Sequence, residues 1–282
     1  MGFWKNMFET PSVPTATQPK SSAGRGAWIF LSHSQQDWEN VRIVRNALEE
    51  RGHKPLVFFL KCLNDDTAIN DLIHREIAAR TWFLLCDSEN ARSSKWVQTE
   101  VDMIKSMPGK FHETIHLDED LASQIVKIDD LCKRATTFIS YTRDDNAMAG
   151  AVMAVLEAND FCVIETDHFS GSELGWQTII AKTIDECSTN GFILLLLSPG
   201  AVQKEKVFIS YEIEYALRKA ATSTRGANVL PVFVGDVATT MAGLSSEARK
   251  NLSQISYLDL SQYSPSDDFT LIVETLLSME ME

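Results

Sequence analysis

The sequence predicts an α/β protein built from two copies of one small parallel-sheet domain, and three observations predict it. Residues 30–37, FLSHSQQD, return at 138–145 as FISYTRDD, which places Ser32 and Ser140 108 positions apart. The helical stretches that follow end on Leu48 and Leu156, again 108 apart. Strand-like and helix-like segments alternate throughout, and strands as uniformly apolar as ILLLL need helices on both faces, as parallel sheets have.

Each element has its own signal. After the first phrase, WENVRIVRNALEERGH carries Val41, Val44 and Leu48 at helical spacing and stops near Gly52. After the second phrase, AMAGAVMAVLEANDF does the same with Met148, Val152, Val155 and Leu156. Short apolar strands follow (PLVFFL; FCVIE), then a polar loop, then the amphipathic segments DLIHREIAAR and WQTIIAKTIDECS. Buried-looking strands TWFLLCDS and GFILLLLS end at Ser88 and Ser198, 110 apart, and lead to the helices WVQTEVDMIKSM and VFISYEIEYALRKA. The second copy closes with the strand NVLPVFVGD, a polar region and the helix DDFTLIVETLLSME. The first closes with the shorter FHETIHLDED and LASQIVKIDDLCKR. Expected boundaries are a tail at 1–26, a first domain at 27–133 and a second at 134–282. In such sheets ligands collect at the carboxyl ends of the strands, where the repeated phrase sits.

Composition narrows the function classes. The chain has 282 residues and a net charge of −13, which argues against a nucleic-acid groove or an anionic membrane surface. The charge is uneven: residues 1–134 hold 17 Lys+Arg against 19 Asp+Glu, net −2, which leaves 9 against 20, net −11, for 135–282. No apolar run approaches the roughly 20 residues of a membrane-spanning helix. The five cysteines (62, 86, 132, 162, 187) form no CxxC pair and no zinc-like cluster, so buried thiols in a reducing, cytoplasmic compartment are expected, with no metal. The start, MGFWKNMFETPSVPTATQPKSSAGRG, lacks the features of a signal peptide, and Asn6 breaks the myristoylation pattern. It reads as a flexible tail, or as an apolar hook (Phe3, Trp4, Met7, Phe8) for a partner.

Three motifs, duplicated and in order, resemble the TIR (Toll/interleukin-1 receptor) domain family over about residues 27–270. They are [FW]-x-S-[HY]-x-x-x-D at the first strand end, the loop DHFSGSELGWQTII at 167–180, and a strand-end Ser followed by S-x-W-V-x-x-E at 94–100. The resemblance implies two tandem flavodoxin-like, three-layer domains. In the family's enzymatic branch a catalytic Glu lies four residues after a Trp. The first copy keeps that pattern as Trp96 and Glu100, whereas the second has Glu212 with Phe208 in the Trp position. The second copy keeps the family's BB loop, from Asp167 to Trp176, while the matching stretch LKCLNDDTAINDLI of the first lacks its Gly and aromatic.

The resemblance implies cleavage of the bond between nicotinamide and ribose in NAD⁺, with NAD⁺ as substrate and no cofactor. One carboxylate suffices, because nicotinamide leaves as a neutral molecule and the barrier lies in an oxocarbenium-like ribose. Glu100 and Glu212 are the catalytic candidates, and an aromatic four residues earlier lies on the same helix face and can wall a flat ring. Glu214 and Tyr211 crowd the second assignment, and the acidity of that copy disfavours a pyrophosphate. Either Glu taken alone is ordinarily a solvated helix face. His33 could contact a ligand, or it could order the loop together with Ser32 and Ser34. Tyr141 takes the place of His33 in the second phrase. Arg143 could grip a phosphate or pair with Asp144 and Asp145. Trp176 could stack on a ligand or anchor its helix to the core. His112 and His116 make no HExxH and read as solvated.

With no membrane span, leucine-rich repeats or attached effector in the sequence, the chain resembles stand-alone TIR proteins of bacterial anti-phage defence, which make an ADP-ribose-derived signal for a separate effector. The other expectation is a non-enzymatic scaffold or adaptor that binds other TIR domains. Self-association is expected in both cases, and the second copy's loop could complete the site around Glu100 within a chain or between chains.

Overall fold

The computed structural model describes residues 26–58, 66–165, 175–203, 206–222 and 228–280. The expected tail with its apolar hook, Cys62, and Asp167 with nearly all of its loop lie outside the described residues.

In the first copy β1 (Trp28–Ser32) leads through a 3-10 turn (Gln35–Asp37) into α1 (Trp38–Glu50) and β2 (Lys54–Leu56). Then come α2 (Asp66–Ala79), β3 (Trp82–Asp87), α3 (Glu89–Ser93), α4 (Lys95–Ser106), β4 (Phe111–His116) and α5 (Leu121–Arg134). The second copy starts the same way: β5 (Thr136–Ser140), a 3-10 turn (Arg143–Asp145), α6 (Asn146–Ala158), β6 (Cys162–Glu165) and α7 (Trp176–Asn190). It continues with β7 (Phe192–Leu197), α8 (Val207–Thr222), β8 (Val229–Phe233), α9 (Val237–Gly243), α10 (Ser246–Leu252), β9 (Leu258–Asp259) and α11 (Thr270–Glu280). The sheet orders are β2-β1-β3-β4 and β6-β5-β7-β8-β9, with every pairing parallel. This is the doubly wound arrangement expected, with the order reversing beside the first strand of each copy.

Central strands are sealed on both faces, as their composition requires: all six residues of β7 are buried. Several helices start where a side chain satisfies a first-turn amide. Ser94 caps α4 by accepting from Val97 N, Asp120 caps α5 from Ser123 N, and Ser245 caps α10 from Ala248 N.

Three local expectations change. β2 stops at Leu56, short of the PLVFFL stretch; it is an edge strand carrying Pro55, which has no amide to extend the ladder. The polar region of the second copy contains α9, α10 and β9, elements of seven, seven and two residues, too short for periodicity to show. His112 is exposed as expected, but the half-exposed His116 bonds through Nδ1 to Asp87 at 2.8 Å, which also takes Arg92.

The two sheets meet through the N-terminal ends of their strands. Trp82, first in β3, packs edge-on against Phe161 just before β6, with ring centroids 5.5 Å apart, and Phe161 packs edge-on against Phe192, first in β7, at 5.9 Å. Arg80 donates to Asp160 Oδ1 at 2.8 Å, Thr81 N donates to Asp160 Oδ2 at 3.1 Å, and Thr81 Oγ1 donates to Asn159 O at 3.0 Å. Asp160 stands 108 residues after Gly52, and both residues have positive φ, 64° and 81°. Glycine suits this left-handed turn, and the Asp that replaces it in the second copy uses its carboxylate to bind the first. The repeated serines Ser32 and Ser140 sit at the opposite, carboxyl ends of their strands.

Candidate functional site

Ser32 ends β1 and is almost wholly buried, and so is its counterpart Ser140 at the end of β5. Each donates its hydroxyl to the candidate acid of its own copy. Ser32 Oγ bonds Glu100 Oε2 at 2.5 Å, and Ser140 Oγ bonds Glu212 Oε2 at 2.5 Å. The repeated Asp is engaged as well. Ser88 donates to Asp37 at 2.5 Å and Ser198 to Asp145 at 2.6 Å, and each of these serines also caps the next turn by accepting from Ala91 N or Ala201 N. The duplicated phrase is thus a strand-tip latch: its Ser holds the acid of the later helix, and its Asp holds the serine that ends the neighbouring strand.

Glu100 does not lie on a solvated face. The buried side of α4 reads Val97, Glu100, Met103, Ile104, so the acid occupies a core position by helical spacing. Burial pushes its carboxyl up to about 7, and the Ser32 hydrogen bond pulls the other way. Trp96, one turn earlier, packs against the cluster formed by Phe30, Ile69, Ile73, Ile77 and Phe83. Together with Phe30, His33, Ser34 and Phe58, Trp96 and Glu100 line a cleft of about 400 Å³ at the strand tips.

His33 Nδ1 donates to Leu31 O at 3.1 Å, and burial lowers its basicity, opposed by that hydrogen bond and by Asp37. A neutral imidazole is therefore the form that faces the cleft near neutral pH. Ser34 caps the 3-10 turn by accepting from Gln36 N. In the first copy, then, the structure brings together Glu100, Trp96, His33 and Ser34.

The second copy differs at the same place. Glu212 has no exposed surface, against 7% for Glu100. Phe208 is 54% exposed, and Trp176 lies over it with ring centroids 4.3 Å apart, while Tyr211 meets Trp176 edge-on at 5.4 Å. Trp176 also packs on the core below, so it anchors its helix while covering the aromatic that stands in the place of Trp96. Tyr141 donates to Glu165 at 2.7 Å and ties two strand tips together. Arg143 is exposed in its 3-10 turn, and its neighbour Asp144 pairs with Lys206 at 3.0 Å.

The sequence offered Ser32 only a part in ordering the loop and Ser140 none, and it did not connect either serine with its acid or Asp37 with Ser88. The signal was present in the shared spacing of these residues. Among the described residues, no group of three or more His, Cys, Asp or Glu side chains could hold a metal ion.

Two doubly wound parallel sheets, each with a strand-tip serine bound to a buried acid, define a tandem α/β protein with a cleft at the carboxyl edge of its first sheet. The sequence profile of the TIR domain matches residues 29–128 and 137–277, and the chain belongs to that family. No curated protein matches the chain. No helix among the described residues is long and apolar enough to cross a membrane.

Proposed function

We propose that the chain is an NAD⁺ glycohydrolase or cyclase whose chemistry resides in the first copy. One observation carries this reading: a buried carboxylate, Glu100, at the floor of a cleft that Trp96 walls from one turn away. Nicotinamide leaves with the electron pair of the C1′–N bond, and the positive charge passes to the ribose. The Glu100 carboxylate stabilises that cation in a site where low polarity strengthens the attraction. Water, or a hydroxyl of the same nucleotide, then bonds to C1′, and an acid titrating near 7 can accept the proton released. The Trp96 ring offers a stacking wall, and His33 and Ser34 line the mouth.

A product derived from ADP-ribose, acting on a separate effector in anti-phage immunity within the cytoplasm, completes the reading by family resemblance. The buried state of Cys86, Cys132 and Cys187 is in keeping with a reducing compartment. By the same family resemblance, the Glu100 site would be completed by a second TIR domain, which favours self-association. The fully buried Glu212 and the exposed Phe208 in the place of Trp96 support a second role for the second copy, as a scaffold that binds other TIR domains.

The test is release of nicotinamide from NAD⁺ by the purified chain, with Glu100→Gln and Glu212→Gln beside it. Activity lost in Glu100→Gln and kept in Glu212→Gln supports the assignment. No nicotinamide, even under conditions that promote assembly, leaves only the scaffold. Activity lost only in Glu212→Gln moves the chemistry to the second copy.

A further inference from the structure

A carboxylate buried in an apolar helix face is both mispositioned and misprotonated unless something holds it. The cleft that Glu100 lines is walled by apolar groups from several elements, Phe30 from β1, Phe58 beyond β2, Ile69 from α2 and Trp96 from its own helix, with polar Ser34, Gln35, Gln36 and Ser94 beside them. Among the described residues, His33 is the other titratable group that lines the cleft, and burial weakens it as a base. Ser32, itself 1% exposed, donates to Oε2 at 2.5 Å and opposes the effect of burial.

We propose that Ser32 is a positioning residue for the reaction, its hydroxyl fixing Oε2 so that Oε1 meets the ligand and the carboxylate stays charged at working pH. The inference rests on the enzymatic reading above and deepens it. The second copy supplies a matched control, because Ser140 makes the same 2.5 Å bond to an acid that has no exposed surface. If the bond served only to fasten the helix to the strand tip, both serines would behave alike.

The experiment uses the full chain as wild type, Ser32→Ala, Ser32→Cys, Ser32→Thr and Ser140→Ala. Side-chain carboxyl ¹³C resonances are titrated, the Glu100 signal being assigned by its loss in Glu100→Gln, and nicotinamide release from NAD⁺ is followed against pH. A hydrogen bond to a charged group is worth enough to move the Glu100 midpoint upward by about one unit in Ser32→Ala. The acid limb of kcat should move with it, and below that limb kcat should fall about tenfold. Ser32→Thr, which keeps the hydroxyl, should restore the wild-type midpoint, and Ser140→Ala should leave both titrations in place. Ser32→Cys, a near-isosteric weak donor, should fall between wild type and Ala, and it carries the test if Ser32→Ala does not fold. An unmoved Glu100 midpoint in folded Ser32→Ala, or in Ser32→Cys where Ser32→Ala does not fold, overturns the inference even in an active enzyme. Absent nicotinamide release with a moved midpoint overturns the enzymatic reading, and with it Ser32's role in a reaction.

Discussion

Glu100 makes the native state pay in stability for a charge it keeps buried, and that can be measured without any substrate. Folding raises its carboxyl from the ordinary 4.5 to about 7 because burial disfavours the charged form. The sign follows from which state holds the proton more tightly. Below 4.5 both states are protonated and the native state keeps its full advantage from this group. As pH rises from there to 7, the unfolded chain ionises first and that advantage is lost. Two and a half units at 1.36 kcal/mol each come to about 3 kcal/mol, the largest such effect expected from this one side chain. Glu100→Gln keeps the shape and still accepts from Ser32, but it cannot ionise. Urea unfolding of both proteins at pH 4.5, 6 and 8 should therefore show the variant gaining on wild type by about 3 kcal/mol across the range. The penalty of placing an amide in the site is the same at every pH and cancels from the slope. If the two stability curves run parallel between pH 4.5 and 8, Glu100 is not a buried, protonation-sensitive acid, and the account of the cleft floor is wrong.

Asp160→Ala should destabilise the chain by about 2–4 kcal/mol in urea, because it strands the Arg80 guanidinium and the Thr81 amide at the junction of the copies. Asp160→Gly, which relieves the left-handed turn but restores no carboxylate, should recover only about 1 kcal/mol of that. Trp96→Ala should raise KM for NAD⁺ about tenfold, by removing the stacking wall one turn from the acid, with a smaller effect on kcat. Thiol reagents should leave Cys86, Cys132 and Cys187 unmodified in the native chain and label them on unfolding, since burial pushes the last two up to about 12 and Cys86 further.

The two parallel sheets were legible because their signals are local and repeated: apolar strands, helical spacing, and serines 108 or 110 residues apart. Glu100 and Trp96 were legible as a pair through their spacing on one helix. What escaped depends on contacts between distant segments. Ser32 and Glu100 are 68 residues apart, and Ser140 and Glu212 are 72 apart, so nothing in a sequence window joins them. The junction escaped for the same reason: Arg80 and Asp160 are separated by 80 residues, and an Asn-Asp pair after a helix reads as a turn. The packing of Trp176 on Phe208 escaped too, because the two residues lie 32 positions apart on different helices.

The full burial of Glu212 sharpens the question of why a chain keeps a buried acid twice. Enclosing a carboxylate is unfavourable, and replacing a buried polar network by neutral groups is often stabilising, so stability alone does not explain Glu212. Two physical explanations remain, and they differ in outcome. If the Ser140–Glu212 bond only fixes how α8 seats on β5, Glu212→Gln preserves that bond, nicotinamide release is unchanged, and Trp176→Ala leaves hydrogen exchange elsewhere on α8 as it was. If instead Trp176 covers a working site, Trp176→Ala should expose the α7–α8 cleft and let NAD⁺ protect it from exchange, and that protection should vanish when Glu212→Gln is added. The 4.3 Å packing of Trp176 on Phe208 makes the first outcome the expected one, because the same Trp176 ring also packs on the core and so serves its helix. Protection by NAD⁺ in the Trp176→Ala chain would reverse that conclusion and make the second copy a gated partner of the first.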